Sequence, residues 1–237
     1  MNTKETKITL TQATSQLWKL WDWLVVLMAV FRSVEVPAIV ALKFFQSAPL
    51  LVLTINLTTC LLLLFDILLR FQRPVHTARG TLHGKAACLH YLETYFFLDL
   101  IGSLPWGLIS NHFLPQGIWS EPISFLCLFR LARVVVFSQD FVRTPSRFFI
   151  ARRLTVFLLW IALVIHLLAC GWIAVDGVTH GLTAGHTYIR ALYWSVTTVS
   201  TTGFGDITPK TEPQMIYTML AMILGAGLYA TVVANVA

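Results

Sequence analysis

Six apolar stretches, each close to the length of a membrane span, constrain this chain more than any other feature. A helix that crosses the hydrocarbon core needs about 20 residues, and only helices or closed barrels satisfy backbone hydrogen bonds there. The stretches lie at about residues 17–42, 49–69, 91–109, 122–138, 154–175 and 213–237. Of the 237 residues 57% are hydrophobic and 12% are charged, whereas soluble domains average about 25% charged residues. The sequence therefore predicts an all-α, multi-pass protein embedded in a lipid bilayer.

Basic residues are distributed unevenly between the loops. The leader, residues 1–16, and the linkers after the second and fourth stretches hold most of the lysines and arginines, whereas the loops after the first, third and fifth hold few. Because basic loops stay on the cytoplasmic side, we expect a cytoplasmic N-terminus and a cytoplasmic end of the sixth span in the cell (plasma) membrane. This bias also accounts for the net charge of +6, so we expect no nucleic-acid partner.

Reactive side chains form no recognisable catalytic or metal-binding group. The four cysteines lie in different segments without the spacing of a metal site, so they are interpreted as small buried side chains. No nucleophile is paired with a base. We expect neither an enzyme nor a covalently bound cofactor.

A glycine-containing loop, Thr201-Thr202-Gly203-Phe204-Gly205-Asp206, lies between the fifth and sixth stretches. A short, mostly apolar segment, residues 187–200, precedes it, so the order is span, short helix, loop and span. Irregular backbone at membrane depth is tolerated only where protein or a water-filled cavity covers it. Glycines at alternate positions permit positive φ without steric cost, which lets successive carbonyls point to one side. An ordinary Gly-x-Gly loop is the alternative interpretation.

The loop resembles the potassium selectivity filter, the Thr-Val-Gly-Tyr-Gly-Asp segment of potassium channels. The resemblance implies that potassium ions bind at filter carbonyls and that Asp206 attracts cations at the outer mouth. The filter residues are Thr201, Thr202, Gly203, Phe204 and Gly205. Thr201 would place a hydroxyl beneath the filter, and Phe204 would point away from the pore and pack behind it. Thr202 and Phe204 stand where the family has valine and tyrosine.

A ring of carbonyls around one ion needs more than one chain. We therefore expect a homotetramer, in which three identical subunits complete the pore. In the pore helix, Tyr193 and Trp194 either form an aromatic cuff around the filter, as in potassium channels, or anchor the helix at the membrane interface.

Two glycines in the sixth span, Gly225 and Gly227, are candidates for a gating hinge or for close helix packing. The inner vestibule is predicted to be lined by Thr231, Ala234 and Asn235. In the fifth span, His166 is interpreted as a hydrogen-bonded core histidine rather than a proton sensor.

Charged residues inside the first four spans indicate a sensor-like bundle. Arg130 and Arg133 are three residues apart, so they share one face of a helix, and Asp66 and Asp99 are their expected partners. Either a voltage sensor or a fixed salt-bridge cluster satisfies this pattern. Strong voltage sensing would require arginine at every third position over four or more repeats, but Cys127 and Val136 occupy the flanking positions of this series.

Further motifs resemble one branch of the channel superfamily. Phe97-Leu98-Asp99-Leu100-Ile101 with Leu104-Pro105 resembles the cyclic-nucleotide-gated and hyperpolarisation-activated channels. Tyr193-Trp194 before Thr197-Thr198, and Ala169-Cys170-Gly171-Trp172, resemble bacterial cyclic-nucleotide-gated potassium channels. The resemblance implies gating by cAMP or cGMP through a domain beyond the sixth span, which we expect to be absent from these 237 residues. The alternatives are a purely voltage-gated potassium channel and, in another class, a potassium-transporter pore subunit.

The predicted organisation has four parts. We expect a cytoplasmic leader at residues 1–16, a voltage-sensor-like four-helix domain at 17–140, a linker with the start of the fifth span at 141–153, and a pore domain at 154–237. Pro145 disfavours a continuous helix between the fourth and fifth spans. This short connection predicts a tetramer that is not domain-swapped, in which each sensor rests against its own pore domain.

Overall fold

The computed structural model describes residues 3–42, 49–77, 80–113, 122–143, 147–176 and 183–236. Helices dominate, as predicted, and one two-stranded antiparallel hairpin, β1 with β2, follows the second helix. In chain order the elements are α1 (Thr3–Leu42), α2 (Pro49–Arg70), β1 (Val75–Thr77), β2 (Gly80–Leu82), α3 (Lys85–Tyr91), a π-helical segment (Leu92–Phe96), α4 (Phe97–Ser103), α5 (Trp106–Phe113), a 3-10 segment (Pro122–Arg130), α6 (Leu131–Arg143), α7 (Phe149–Asp176), α8 (Ala184–Val199) and α9 (Glu212–Val236).

Four helices of the described chain are long and apolar enough to cross a membrane. They are Gln16–Leu42, Leu50–Arg70, Phe149–Asp176 and Glu212–Thr231. These ranges correspond to the first, second, fifth and sixth predicted spans. Helix α1 begins at Thr3 and continues into the first span without a break, and the cytoplasmic position of the leader stays a prediction.

The third predicted span consists of shorter helical pieces. An uninterrupted helical run covers α3, the π-helical segment and α4, and it ends at Ser103. Leu104 is extended, with ψ of 147°, because the ring of Pro105 disfavours helical geometry in the residue before it. Helix α5 then begins at Trp106. The break lies inside the predicted range 91–109.

The fourth predicted span changes helical type at Arg130. The 3-10 segment runs from Pro122 to Arg130, and α6 continues directly from Leu131. A 3-10 helix has three residues per turn, so side chains at i and i+3 lie on one face. Ser124, Cys127 and Arg130 accordingly form its buried face. This geometry carries the Arg130 side chain into the interior.

The chain divides into two compact units. The first contains Met1–Ser33 and Leu50–Gln139, and the second contains Val34–Pro49 and Asp140–Ala237, in each case as far as these ranges are described. In the first unit, α4 and α5 pack on the 3-10 segment. In the second, α7, α8 and α9 pack on one another around a core that includes Leu168, Trp172, Ile173, Ala191 and Trp194.

Candidate ion-conduction site

Helix α8 leads directly into the glycine loop through a Schellman turn. The N–H of Thr202 donates to the Thr197 carbonyl at 2.9 Å, and the N–H of Thr201 donates to the Thr198 carbonyl at 3.1 Å. This turn needs a left-handed residue just beyond the helix, usually glycine. Thr201 occupies that position with φ of 58°. The end of the helix therefore determines the backbone conformation at the start of the loop.

Left-handed residues alternate along the loop. Thr201, Gly203 and Gly205 have φ of 58°, 53° and 80°, and Thr202 and Phe204 separate them. The predicted positive φ is thus confirmed at both glycines. Sequence analysis did not predict it at Thr201, because a β-branched residue rarely adopts this conformation. The Schellman hydrogen bonds supply the missing reason.

Residues 201–206 are all exposed in the single chain. The loop starts at the C-terminus of α8, where the helix dipole places a partial negative charge. A partial negative charge at the helix end favours a cation nearby. No side chain with a positive charge lies in residues 201–206.

The two candidate cuff residues have different environments. Trp194 is 3% exposed and stacks on Trp172 of α7, with ring centroids 4.1 Å apart, and on Tyr217 of α9, with centroids 6.0 Å apart. Tyr193, in contrast, is 40% exposed. One aromatic residue thus joins three helices, and the other lies at the surface of the single chain.

Trp172 and Tyr217 were not predicted as site residues. Their contribution depends on helices that are far apart in the sequence, although the aromatic residues themselves were visible signals. The Tyr217 hydroxyl donates to the Leu168 carbonyl at 2.8 Å. A Cβ at Gly171 would lie 2.2 Å from that hydroxyl oxygen, so the small residue in α7 gives the ring room to pack.

Phe204 is exposed in the single chain, and its packing behind the loop stays a prediction. Its side chain is 71% exposed. Among the described residues, Asp206 forms no ion pair with Arg190 or Lys210, its basic neighbours in the sequence.

Gly225 and Gly227 differ in their surroundings. A Cβ at Gly225 would lie 2.9 Å from the Cα of Val199, the last residue of α8, whereas a Cβ at Gly227 would have no atom within 4 Å. Close packing therefore explains Gly225, and α9 touches the backbone at the base of the loop. Packing within the chain does not explain Gly227.

We expect Gly225→Ala to reduce ion conduction and Gly227→Ala to leave it near wild type. Overpacking at Gly225 costs about 1–3 kcal/mol and displaces Val199, next to the loop. The measurement is macroscopic current at equal protein density in reconstituted membranes. Equal losses from both variants would contradict a packing role confined to Gly225 and favour a hinge at both positions.

Of the three residues predicted to line the inner vestibule, only Thr231 has a described side chain. The Thr231 hydroxyl donates to the Gly227 carbonyl at 2.8 Å and the residue is exposed. The side chains of Ala234 and Asn235 lie outside the described set.

His166 is a hydrogen-bonded core histidine, as predicted. It is 6% exposed. Its Nε2 lies 3.0 Å from the carbonyl oxygen of Val34, and its Nδ1 lies 2.8 Å from the hydroxyl of Tyr188. A carbonyl can only accept, so Nε2 carries the proton, and the neutral ring then accepts from Tyr188. The ring joins α7 to α8 and to the last turns of α1 within the second unit.

In the first unit, the predicted arginine–aspartate pairing is confirmed. Arg130 Nη2 lies 2.5 Å from Asp66 Oδ2, and Arg130 Nη1 lies 2.7 Å from Asp99 Oδ1. The second contact is ionic, since Nη1 does not make a hydrogen bond of good geometry. Arg133 pairs with Asp99. All three side chains at the centre, Arg130, Asp66 and Asp99, are almost completely buried.

The ion pairs continue toward the N-terminal part of α1. Arg70 contacts Asp66 at 2.8 Å and Asp22 at 3.6 Å, and Arg73 contacts Asp22 at 2.6 Å. The connected group therefore contains four arginines and three aspartates. The pairing of Asp22 was not predicted from the sequence.

Comparisons with known proteins agree with this arrangement. The sequence model of a family described as "Ion channel" matches residues 153–237, which contain α8, the loop and α9. The chain is 26% identical over 258 residues to the voltage-gated delayed rectifier potassium channel KCNH5 of Homo sapiens, covering 91% of this chain and 25% of that protein.

Two further relatives are potassium channels by name. The chain is 25% identical to the potassium voltage-gated channel protein eag of Drosophila melanogaster, covering 92% of this chain and 21% of that protein. It is 24% identical to the voltage-gated inwardly rectifying potassium channel KCNH2 of Sus scrofa, covering 91% and 22%. The chain spans about a quarter of the length of these relatives.

These matches support a multi-pass membrane protein similar to voltage-gated potassium channels, and they indicate that the chain is not an enzyme. The three relatives have names that specify voltage gating and do not mention cyclic nucleotides. The finer resemblance to bacterial cyclic-nucleotide-gated channels therefore remains a prediction.

Proposed function

We propose that this chain is the pore-forming subunit of a potassium-selective ion channel in the plasma membrane. Four identical copies surround one axis, and each contributes Thr201–Gly205 to a ring of carbonyl oxygens that binds dehydrated potassium ions. The observation that carries the proposal is the alternation of left-handed residues at positions 201, 203 and 205, directly after the C-terminus of α8. The ion-channel family match over this region supports it.

The proposal is tested by single-channel recording of the purified protein in planar bilayers. Under a potassium–sodium gradient, we expect a reversal potential close to the potassium equilibrium potential. A reversal near zero would reject selective conduction. We also expect discrete unitary openings, which a continuous open pore produces.

The proposed tetramer is tested by measuring the mass and the symmetry of the particle. Multi-angle light scattering in detergent should give four chains per particle, and electron microscopy should show four-fold symmetry. A monomer that still conducts would contradict the carbonyl ring, because one chain carries a single copy of the loop.

The proposed gating is dominated by a ligand at the cytoplasmic end of α9, with voltage as a modulator. Cyclic AMP or cyclic GMP is the ligand that the sequence resemblance implies. The second candidate is purely voltage-gated conduction, favoured by the names of the relatives. The ion pairs of Arg130 support ligand gating over purely voltage-gated conduction, because two buried aspartates hold its side chain at the same time.

We expect a shallow dependence of open probability on voltage. If both Arg130 and Arg133 crossed the whole field in four subunits, the work would be about 18 kcal/mol per 100 mV, from about 2.3 kcal/mol per charge. A Cβ at Gly102 would lie 2.6 Å from the backbone nitrogen of Arg130, so α4 and the 3-10 segment are in backbone contact, which opposes sliding. The measurement is the limiting slope of open probability against voltage at saturating ligand. A gating charge near eight, lost in the Arg130→Gln/Arg133→Gln double variant, would establish the purely voltage-gated candidate instead.

A further inference from the structure

The hydroxyl of Thr202 makes a polar contact that valine, the residue at this position in potassium channels, cannot make. Its hydroxyl oxygen lies 2.8 Å from the hydroxyl oxygen of Ser200. The Ser200 hydroxyl in turn donates to the Thr197 carbonyl at 3.3 Å. Because the Ser200 hydroxyl donates its proton to the Thr197 carbonyl, the proton between the two hydroxyls belongs to Thr202, and Thr202 donates to Ser200. The direction along the chain of hydrogen bonds is then Thr202 to Ser200 to Thr197.

The same Thr197 carbonyl accepts two backbone hydrogen bonds from the loop. The N–H of Thr202 donates to it at 2.9 Å and the N–H of Gly203 at 3.2 Å. The Thr197 hydroxyl donates back to the Trp194 carbonyl at 3.0 Å. The peptide unit between Thr202 and Gly203 is therefore attached to the last turns of α8 by its own N–H, by that of the preceding peptide and by a side chain.

Hydrogen bonds that fix the orientation of this peptide are important because its carbonyl is proposed to bind the ion. In the proposed pore, the Thr202 carbonyl points toward the axis, where four like-oriented dipoles repel one another unless a cation lies between them. This peptide plane turns by a change in ψ of Thr202 and in φ of Gly203 (53°), and Gly203 has no side chain to oppose that change. A constraint on Thr202 thus resists rotation of the carbonyl away from the axis when no ion is bound.

We infer that the Ser200–Thr202 hydroxyl pair is a positioning element that keeps the loop conductive when potassium is scarce. Thr202 and Ser200 act through the backbone carbonyl of Thr202 and do not themselves contact the ion with their hydroxyls. The inference rests on the proposed function, since it assigns a role to residues behind the same carbonyl ring.

The experiment compares loss of current at low potassium in four forms of the reconstituted protein: wild type, Thr202→Val, Ser200→Ala and the double variant. Thr202→Val keeps the shape of the side chain and removes the hydroxyl. After potassium is withdrawn from the outer solution, we expect each single variant to lose current about fivefold faster than wild type, the factor that corresponds to a hydrogen bond of about 1 kcal/mol. The double variant should lose current no faster than the singles, because one interaction is removed only once.

Three controls distinguish positioning from general damage. Restoring high potassium should return all variants to wild-type selectivity, which a misfolded loop would not allow. Ser200→Thr retains a hydroxyl and should behave as wild type. Thr155→Val removes a hydroxyl that donates to the Ala151 carbonyl in α7 and should have no effect.

The outcomes separate the two proposals. If wild type is potassium-selective but Thr202→Val loses current at the wild-type rate, the inference is wrong and the proposed function stands. If the two single effects multiply in the double variant, the residues act separately and the hydroxyl pair is again rejected. A wild-type current without potassium selectivity overturns the proposed function, and the inference with it.

Discussion

Replacing Gly203 or Gly205 with alanine should abolish potassium selectivity or conduction. Their φ of 53° and 80° lie in the left-handed region, where an L-residue costs about 1–2 kcal/mol. A Cβ at either position would meet no atom within 4 Å in the chain, so the expected effect comes from the backbone rather than from a clash. In a ring of four chains the cost recurs four times.

The measurement is the ratio of potassium to sodium permeability, obtained from reversal potentials. Gly185→Ala is the matched control, because Gly185 lies near the start of α8, has no positive φ and has no atom within 4 Å of an added Cβ. Gly84→Ala is a second control, with φ of 58° outside the loop; it should alter folding yield but not selectivity. Wild-type selectivity in both loop variants would refute the assignment of the filter.

Removing the charge of Arg130 should destabilise the first unit by about 3–5 kcal/mol, the usual cost of removing one partner from a buried ion pair. Arg130 has no exposed side-chain surface and lies between Asp66 and Asp99. In Arg130→Gln, two buried carboxylates lose the cation that they share. Arg147→Gln, a change of an exposed arginine in the segment before α7, should shift stability by less than about 0.5 kcal/mol.

The measurement is the midpoint of thermal denaturation in one detergent at a fixed protein concentration. Asp66→Asn combined with Arg130→Gln should cost less than the sum of the single changes, because the double variant leaves one uncompensated charge fewer. Additive losses would show that Asp66 and Arg130 contribute independently, against the contact at 2.5 Å.

Hydropathy and local backbone chemistry were readable from the sequence. The predicted ranges for spans one, two, five and six agree closely with the apolar helices, since the length of an apolar run directly reflects the thickness of the hydrocarbon core. The break near Pro105 is also local in cause. It was not predicted, because apolar character continues through the proline and concealed the end of the helix.

The charged residues were predictable in part. A buried arginine requires an opposite charge, so the aspartates in the neighbouring apolar stretches were the natural partners. The sequence did not indicate that Arg130 is shared by both aspartates while Arg133 pairs with Asp99. That distribution depends on the 3-10 segment, which changes the direction in which Arg130 leaves the backbone.

The sequence by itself determined where this chain can cross a membrane, where its backbone needs glycine and which buried charges must neutralise one another. Each of these follows from the chemistry of neighbouring residues. Only the tertiary structure decided that Trp194 stacks on both Trp172 and Tyr217, and that Gly225 rather than Gly227 packs against α8. These features arise where helices distant in sequence meet, and the hydropathy of one segment does not specify the side chains that another segment brings to it.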